Sequence, residues 1–205
     1  MSIIQTCDPR SGDGGGAQGA NERRNTPRFT LLIRAAKLIA GDSEQICIIR
    51  DASVEGIRVR LFGPLLQTEG LELDLANGER FAVDQVWSEG ENAGFQFRGE
   101  VDLARLVEVA HGRHRKRELR VRARLEGRIH TGTQSFTAQF ENLSRQGACI
   151  ECEERLSIDQ LVRVETGHVE PFFAKARWRR QPRYGLIFEE TLSFEDLASL
   201  TLPEA

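Results

Sequence analysis

Short runs in which apolar and polar residues alternate recur along the chain at regular spacing. Ile57-Arg58-Val59-Arg60-Leu61 is the clearest, and Leu71, Leu73 and Leu75 repeat it. A period of two marks a strand buried on one face. Phe29 to Ile39 reads as a first strand and Glu44 to Arg50 as a second, its Ile46, Ile48 and Ile49 favouring extended backbone. Asn77-Gly78 predicts a hairpin turn into a strand from Phe81 to Trp87, and Gly90 to Asn92 turns the chain into Gly94-Phe95-Gln96-Phe97. Six short strands of this kind predict a small antiparallel barrel. Leu103, Leu106, Val107 and Ala110 change the spacing to i, i+3, i+4, i+7, which predicts a helix with one apolar face. The strand plan then returns at Val121, Ala123 and Leu125, at Phe136, Ala138 and Phe140, and at Ala148, Ile150 and Cys152. Ser193, with Asp196 three residues on, predicts the start of a final short helix.

The return is a duplication. Asp51-Ala52-Ser53-Val54-Glu55-Gly56 comes back 91 positions later as Asn142-Leu143-Ser144-Arg145-Gln146-Gly147. The same offset carries Trp87 onto Trp178, Gly94 onto Gly185 and Phe97 onto Phe188. Upstream, Arg23 to Phe29 lies 92 positions before Arg115 to Val121, a shift that one insertion or deletion explains. Repeats of this clarity set the domain plan before any other argument. Residues 1–20, with a Gly-rich stretch at 11–19, read as a flexible, disordered tail. Residues 21–111 and 112–205 read as two modules. The expected fold is mainly β: two small six-stranded antiparallel barrels in tandem, each followed by a helix.

Composition changes this picture little. Of the 205 residues, 40% are hydrophobic and 29% charged, as in ordinary globular proteins. No apolar run approaches the roughly 20 residues of a bilayer span, so membrane insertion is not expected. Met1 to Asp8 lacks the basic start and apolar centre of a secretory signal, and the four cysteines suit a reducing cytoplasm. The net charge of -3 hides one asymmetry: Arg113 to Arg124 holds six arginines and Lys116 against Glu118 alone. Such a patch calls for an anionic partner, although the overall balance is too acidic for a general nucleic-acid coat.

Two groups of residues could recognise that anion. Arg24 and Arg28 flank Pro27, which stiffens the backbone before the first strand. Guanidinium groups offer planar donor pairs for phosphate oxygens and for the O6/N7 edge of guanine, and they stack on purines. Asp51 can accept from the N1/N2 edge of a purine, Ser53 can donate and accept, and Gly56 lets the backbone turn. Together these would bind an anionic guanine nucleotide. Taken alone, Asp51 and Ser53 read as the caps of a turn.

The order R-x-x-x-R, then [D/N]-x-S-x-x-G, resembles the PilZ family of bacterial receptors for cyclic di-GMP. Arg24-x-x-x-Arg28 and Asp51-x-Ser53-x-x-Gly56 match both halves, and Val86-Trp87 and Gly94 to Phe97 resemble the family's closing strands. The resemblance implies two PilZ-like barrels, with cyclic di-GMP on the outer surface of the first, held by Arg23, Arg24, Arg28, Asp51, Ser53 and Gly56. It also implies, through Arg23, a second intercalated ligand molecule there. In the second module Lys116 stands at the first arginine position and Leu119 replaces the proline, while Arg115, Arg120, Asn142, Ser144 and Gly147 remain. A lysine lacks the planar fork, so this site is expected to be weaker by ~10–100-fold, or to serve dimerisation instead.

The remaining signals add no chemistry. Cys149-x-x-Cys152 lacks the partners of a zinc site and reads as core packing. Trp87 and Trp178 read as buried barrel residues rather than stacking platforms. No nucleophile–base constellation or phosphate loop appears, so neither a catalytic residue nor a metal or other cofactor is expected. The expected protein is a receptor that binds cyclic di-GMP and answers with a change of domain arrangement or of the surface shown to a downstream protein. The alternatives are a nucleic-acid-binding protein, using the basic linker and the set Lys175, Arg177, Arg179, Arg180 and Arg183, or a ligand-independent adaptor.

Overall fold

The computed structural model describes residues 29–65, 67–102, 106, 118–132 and 134–202. The expected tail, Arg23, Arg24, Arg28, Arg115, Lys116 and most of the helix expected at 103–110 lie outside them.

The first six strands are β1 (Phe29–Ala40), β2 (Ser43–Ala52), β3 (Gly56–Leu61), β4 (Leu71–Leu75), β5 (Arg80–Glu89) and β6 (Asn92–Phe97). The second six are β7 (Val121–Thr131), β8 (Gln134–Ser144), β9 (Gly147–Glu151), β10 (Leu161–Glu165), β11 (Phe172–Arg180) and β12 (Arg183–Phe188). Each set closes an antiparallel barrel, β1-β2-β3-β6-β5-β4 and β7-β8-β9-β12-β11-β10. The order is the same in both, as a duplication requires. Closure leaves no free sheet edge. The helix α1 (Phe194–Ser199) follows the second barrel and starts where expected. Ser193 Oγ accepts from the Asp196 amide at 2.9 Å, and the Asp196 carboxylate accepts from the Ser193 amide at 3.2 Å. That reciprocal pair is a capping box.

The alternating residues fill the barrels as their period demands. Leu38, Ile49, Val59, Leu73 and Val83 are buried in the first, and Ala138, Phe140, Ile150, Val164 and Ala176 in the second. Leu106, the described member of the expected first helix, is fully buried in the first core, and the Arg34 guanidinium donates to its carbonyl. The strands depart from strict alternation at fixed places. The β2–β3 register shifts between Ile49 and Asp51, and the β8–β9 register between Phe140 and Asn142. The β5–β6 register shifts between Gln85 and Trp87, and the β11–β12 register between Ala176 and Trp178. Each shift adds one residue (Arg50, Glu141, Val86 and Arg177), and one extra residue turns the next side chain to the other face.

The barrels also touch. Ile46 of β2 is buried with the core of the second barrel, and Phe62 stacks on Phe194 of α1 with ring centroids 6.2 Å apart. Gly63 lies against Leu202, where a Cβ would meet the leucine methyl group at 2.8 Å.

Candidate functional site on the outer barrel surface

The repeated hexapeptide joins neighbouring strands in each barrel. Ser53 closes its own turn: its amide donates to the Gly56 carbonyl at 2.8 Å, and its Oγ lies 3.3 Å from both the amide nitrogen and the carbonyl oxygen of Gly56. Ser144 Oγ donates to the Gly147 carbonyl and accepts from the Gln146 amide, both at 3.3 Å. Both serines are buried. Their hydroxyls thus act as the turn caps that each serine alone predicts.

The glycines have a structural reason of their own. A Cβ on Gly56 would run into the carbonyl oxygen of Phe95, and one on Gly147 into that of Leu186. The next strand passes too close for any side chain, so the glycine allows β3 to meet β6 and β9 to meet β12. Close approach of a ligand is not needed to explain it.

The added residues in β2 and β8 decide where the acid and the amide point. In β2 the inward residues are Cys47, Ile49 and then Ala52, and in β8 they are Ala138, Phe140 and then Leu143. The step of three turns Asp51 and Asn142 outward. The same device acts in β5 and β11. Under unbroken alternation Trp87 and Trp178 would continue the inward rows; because Val86 and Arg177 are bulged, both indoles lie outside, 36% and 42% exposed. The expectation of buried barrel tryptophans is therefore corrected.

These positions line up across the sheet. Asp51 is opposite Arg58, Arg58 opposite Gly94 and Gly94 opposite Trp87. In the second barrel Asn142 is opposite Cys149, Cys149 opposite Gly185 and Gly185 opposite Trp178. Each row crosses four strands, roughly 14 Å. The indole lies over the glycine, where a Cβ would strike its ring in either barrel. Asp51 is nearly buried because Arg58, half exposed, covers it with Nε 2.6 Å from the carboxylate. Arg58 and the two tryptophans are the members of the surface that the motif alone does not reveal.

The second row carries the arginine half of its motif. Phe29 is opposite Ala52, and Val121 opposite Leu143, so in each barrel the residue that follows the arginine segment pairs beside the hexapeptide. Arg120, 22 positions before Asn142, donates through Nη1 to its Oδ1 at 2.6 Å. Arg120 and Asn142 are thus brought together. The first barrel reaches the same segment: Lys37 Nζ donates to the Arg120 carbonyl at 3.2 Å, and the Arg122 amide donates to Glu44 at 2.9 Å. Arg115 and Lys116 lie outside the described residues, as do the arginines of the first motif.

The other candidates recede. Lys175 pairs with Glu189 at 3.0 Å, Arg177 with Asp159 at 2.8 Å and Arg183 with Glu141 at 2.7 Å, which neutralises most of the second basic set. Cys152 packs in the core, whereas Cys149 faces the row and donates to Glu141 at 3.3 Å. Burial, with Glu141 second, pushes the Cys149 thiol up to about 11; burial does the same for Cys152, and burial alone takes Cys47 to about 12. Such thiols stay protonated at neutral pH. Among the described residues no group of three His, Cys, Asp or Glu side chains could hold a metal, and no helix is long and apolar enough to cross a membrane.

The chain is similar to several solved structures. PlzA of Borreliella burgdorferi in complex with c-di-GMP is 10% identical, with 83% of this chain and 88% of that one covered and a TM-score of 0.36. The Bacillus subtilis inhibitor of motility MotI/DgrA is 13% identical, over 83% and 94%, with a TM-score of 0.34. YcgR of Escherichia coli in complex with c-di-GMP is 14% identical, over 78% and 76%, with a TM-score of 0.28. No curated protein matches the chain. The PilZ domain model matches residues 113–201, the copy in which lysine replaces the first arginine. The resemblance to that family is borne out: the chain carries a PilZ domain, and its second barrel is the part matched.

Proposed function

We propose that this protein is a receptor for cyclic di-GMP, binding it on the outer rows of its barrels without catalysing a reaction. The observation that carries the reading is the meeting of Arg120 with Asn142 at one end of a row whose other end is an exposed indole, in the barrel that the PilZ domain model matches. The two motif halves converge on one surface, and that surface offers a guanidinium, an amide and an aromatic edge to a guanine nucleotide. The solved relatives that hold c-di-GMP, PlzA and YcgR, agree with this ligand class.

In this reading Arg23, Arg24, Arg28, Asp51, Ser53 and Gly56 serve the first site, with Asp51 sharing its carboxylate between Arg58 and the base. Ser53 and Gly56 serve mainly by shaping the turn. Arg115, Lys116, Arg120, Asn142, Ser144 and Gly147 serve a weaker second site. Binding changes the domain arrangement because the segment at Arg120 to Arg122 belongs both to the second site and to the bonds with Lys37 and Glu44. A ligand shifts such an arrangement only as far as it prefers one form over the other.

Calorimetric titration of cyclic di-GMP into the wild type, Arg28→Ala and Arg120→Ala tests the reading. Saturable binding is expected, weakened most by Arg28→Ala, with a smaller loss in Arg120→Ala. Small-angle scattering with and without ligand should show a change of shape. No heat in the wild type overturns the receptor; binding with unchanged scattering overturns the rearrangement alone.

A further inference from the structure

The duplication supplies an internal control for the outer surface. Phe81 packs edge-on against Phe97 in the first barrel, and Phe172 against Phe188 in the second, so the 91-residue offset holds in space along these strands. On that register Leu161, Phe173 and Ile187 stand where the first barrel has Gly70, Ala82 and Gln96. All three are about half exposed, at 49%, 51% and 41%. Nothing in the barrel architecture requires apolar residues there, because the first barrel closes without them.

The three residues form one patch. Leu161 is opposite Lys175 and Lys175 opposite Ile187, while Phe173 is opposite Arg163. Phe173 is therefore the diagonal neighbour of both Leu161 and Ile187, within reach on a sheet face. Beside it opens a hollow of about 330 Å³, lined by His130, Gly132, Leu161, Val162, Arg163 and Phe173. An exposed apolar cluster of this kind, rimmed by polar groups, marks an interaction surface.

The charges on the rim select the occupant. His130 pairs with Glu165 at 3.0 Å and Lys175 with Glu189 at 3.0 Å, so both carboxylates nearby are engaged. Arg163, exposed between Leu161 and Phe173, has no ion pair among the described residues. A second copy of the same face would bring another Arg163 and no spare carboxylate, which disfavours a twofold dimer here. A membrane or nucleic-acid surface would find Arg163 as the one unpaired cation among the described residues of this patch, since Lys175 is held by Glu189.

We propose that the outer face of β10, β11 and β12 docks a segment of another protein, one that presents apolar side chains next to a carboxylate. The apolar residues cover Leu161, Phe173 and Ile187, one of them filling the hollow, and the carboxylate pairs with Arg163. The proposal does not rest on the ligand reading: Leu161, Arg163 and Phe173 lie outside the Asn142–Trp178 row, and only Ile187, opposite Gly147, borders the second site.

The test pans a phage library of random short peptides on the full chain and measures enriched peptides in solution by fluorescence anisotropy. Two variants serve as controls: the triple change Leu161→Gly, Phe173→Ala, Ile187→Gln, which installs the first barrel's residues, and Arg163→Glu, which leaves the apolar patch intact should the triple variant misfold. Expected is enrichment of peptides with several apolar residues and an Asp or Glu. Their affinity should fall at least about tenfold, or 1.4 kcal/mol, in each variant. In Arg163→Glu it should return when the peptide acid becomes lysine. No enrichment, or peptides indifferent to both variants, overturns the proposal. So does a wild-type dimer in sedimentation velocity that the triple variant abolishes, or binding to phosphatidylglycerol vesicles that depends on the same residues.

Discussion

The two outer rows are built by the same backbone and filled with different chemistry. In the first, Asp51 faces Arg58, a full ion pair covering a nearly buried carboxylate. In the second, Asn142 faces Cys149, and the guanidinium that satisfies it comes from Arg120, just before β7. Arg58 thus partners the first row's acid from within its own sheet, and Arg120 partners the second row's amide from the segment that leads into its barrel. The backbone devices (the added residue in each strand, the glycine beneath the next carbonyl, the indole laid over a glycine) belong to the duplicated fold. Arg58 in one copy and Cys149 in the other are what the described rows do not share.

The largest expected effect tests the shared part. Gly56→Ala and Gly147→Ala each place a Cβ against a backbone carbonyl, which cannot move as a side-chain tip can. Each change should cost about 3 kcal/mol, the upper range for overpacking. In thermal melts that amounts to roughly 12–24 °C for a domain of this size. Equal losses sharpen the view that the glycine serves the barrel in both copies. If Gly56→Ala melts normally but loses ligand, the glycine serves the site instead, and the two copies part company.

A smaller effect tests the part not shared. Arg58→Ala removes the guanidinium that covers Asp51, and a loss of about 1 kcal/mol is expected, tempered by the exposure of Arg58. Cys149→Ser, at the equivalent position, should stay within about 0.5 kcal/mol, since a hydroxyl can still donate to Glu141. Urea denaturation of the pair reads the difference directly. Equal losses would mean that Arg58 and Cys149 are interchangeable fillers and that the ion pair adds no stability.

How far the sequence revealed these rows depends on the strand. The barrels were legible because β3 and β10 alternate in burial, because Leu71, Leu73 and Leu75 of β4 recur at every second residue, and because the hexapeptide repeats at a fixed offset. The place of Asp51 was legible in principle: the inward apolar residues step from Ile49 to Ala52, and from Phe140 to Leu143, three positions rather than two. The tryptophans were not. Val83 and Gln85 set a phase that carries Trp87 inward, and only the added Val86 reverses it. No apolar residue beyond Trp87 reports the change of phase, so a rule of alternation puts the indole in the core. Arg58 is hidden in the sequence for another reason, since its outward place on β3 fits an ordinary solvated arginine until the strand pairing sets it opposite Asp51.

The smallest expected effect concerns the cysteine that replaces Arg58. Burial and then Glu141 hold the Cys149 thiol up to about 11, above the ordinary value of 9.0, with Arg183 and Arg120 opposing. A raised value means that the folded chain keeps this proton more tightly than the unfolded chain does. The resulting stability is fully present below pH 9 and is lost as pH rises from 9 through about 11. Cys152 and Cys47 act in the same direction, so stability should decline over this window, and Cys149→Ser should make the decline shallower. Chemical denaturation at a series of pH values reads the slope, and iodoacetamide labelling should stay slow until the same window opens. Rapid labelling of Cys149 near pH 7 would show a thiolate stabilised by Arg120 and Arg183. The second row would then hold its own ion pair, with sulfur in place of the carboxylate of Asp51, and the contrast between the copies would narrow to the choice of anion.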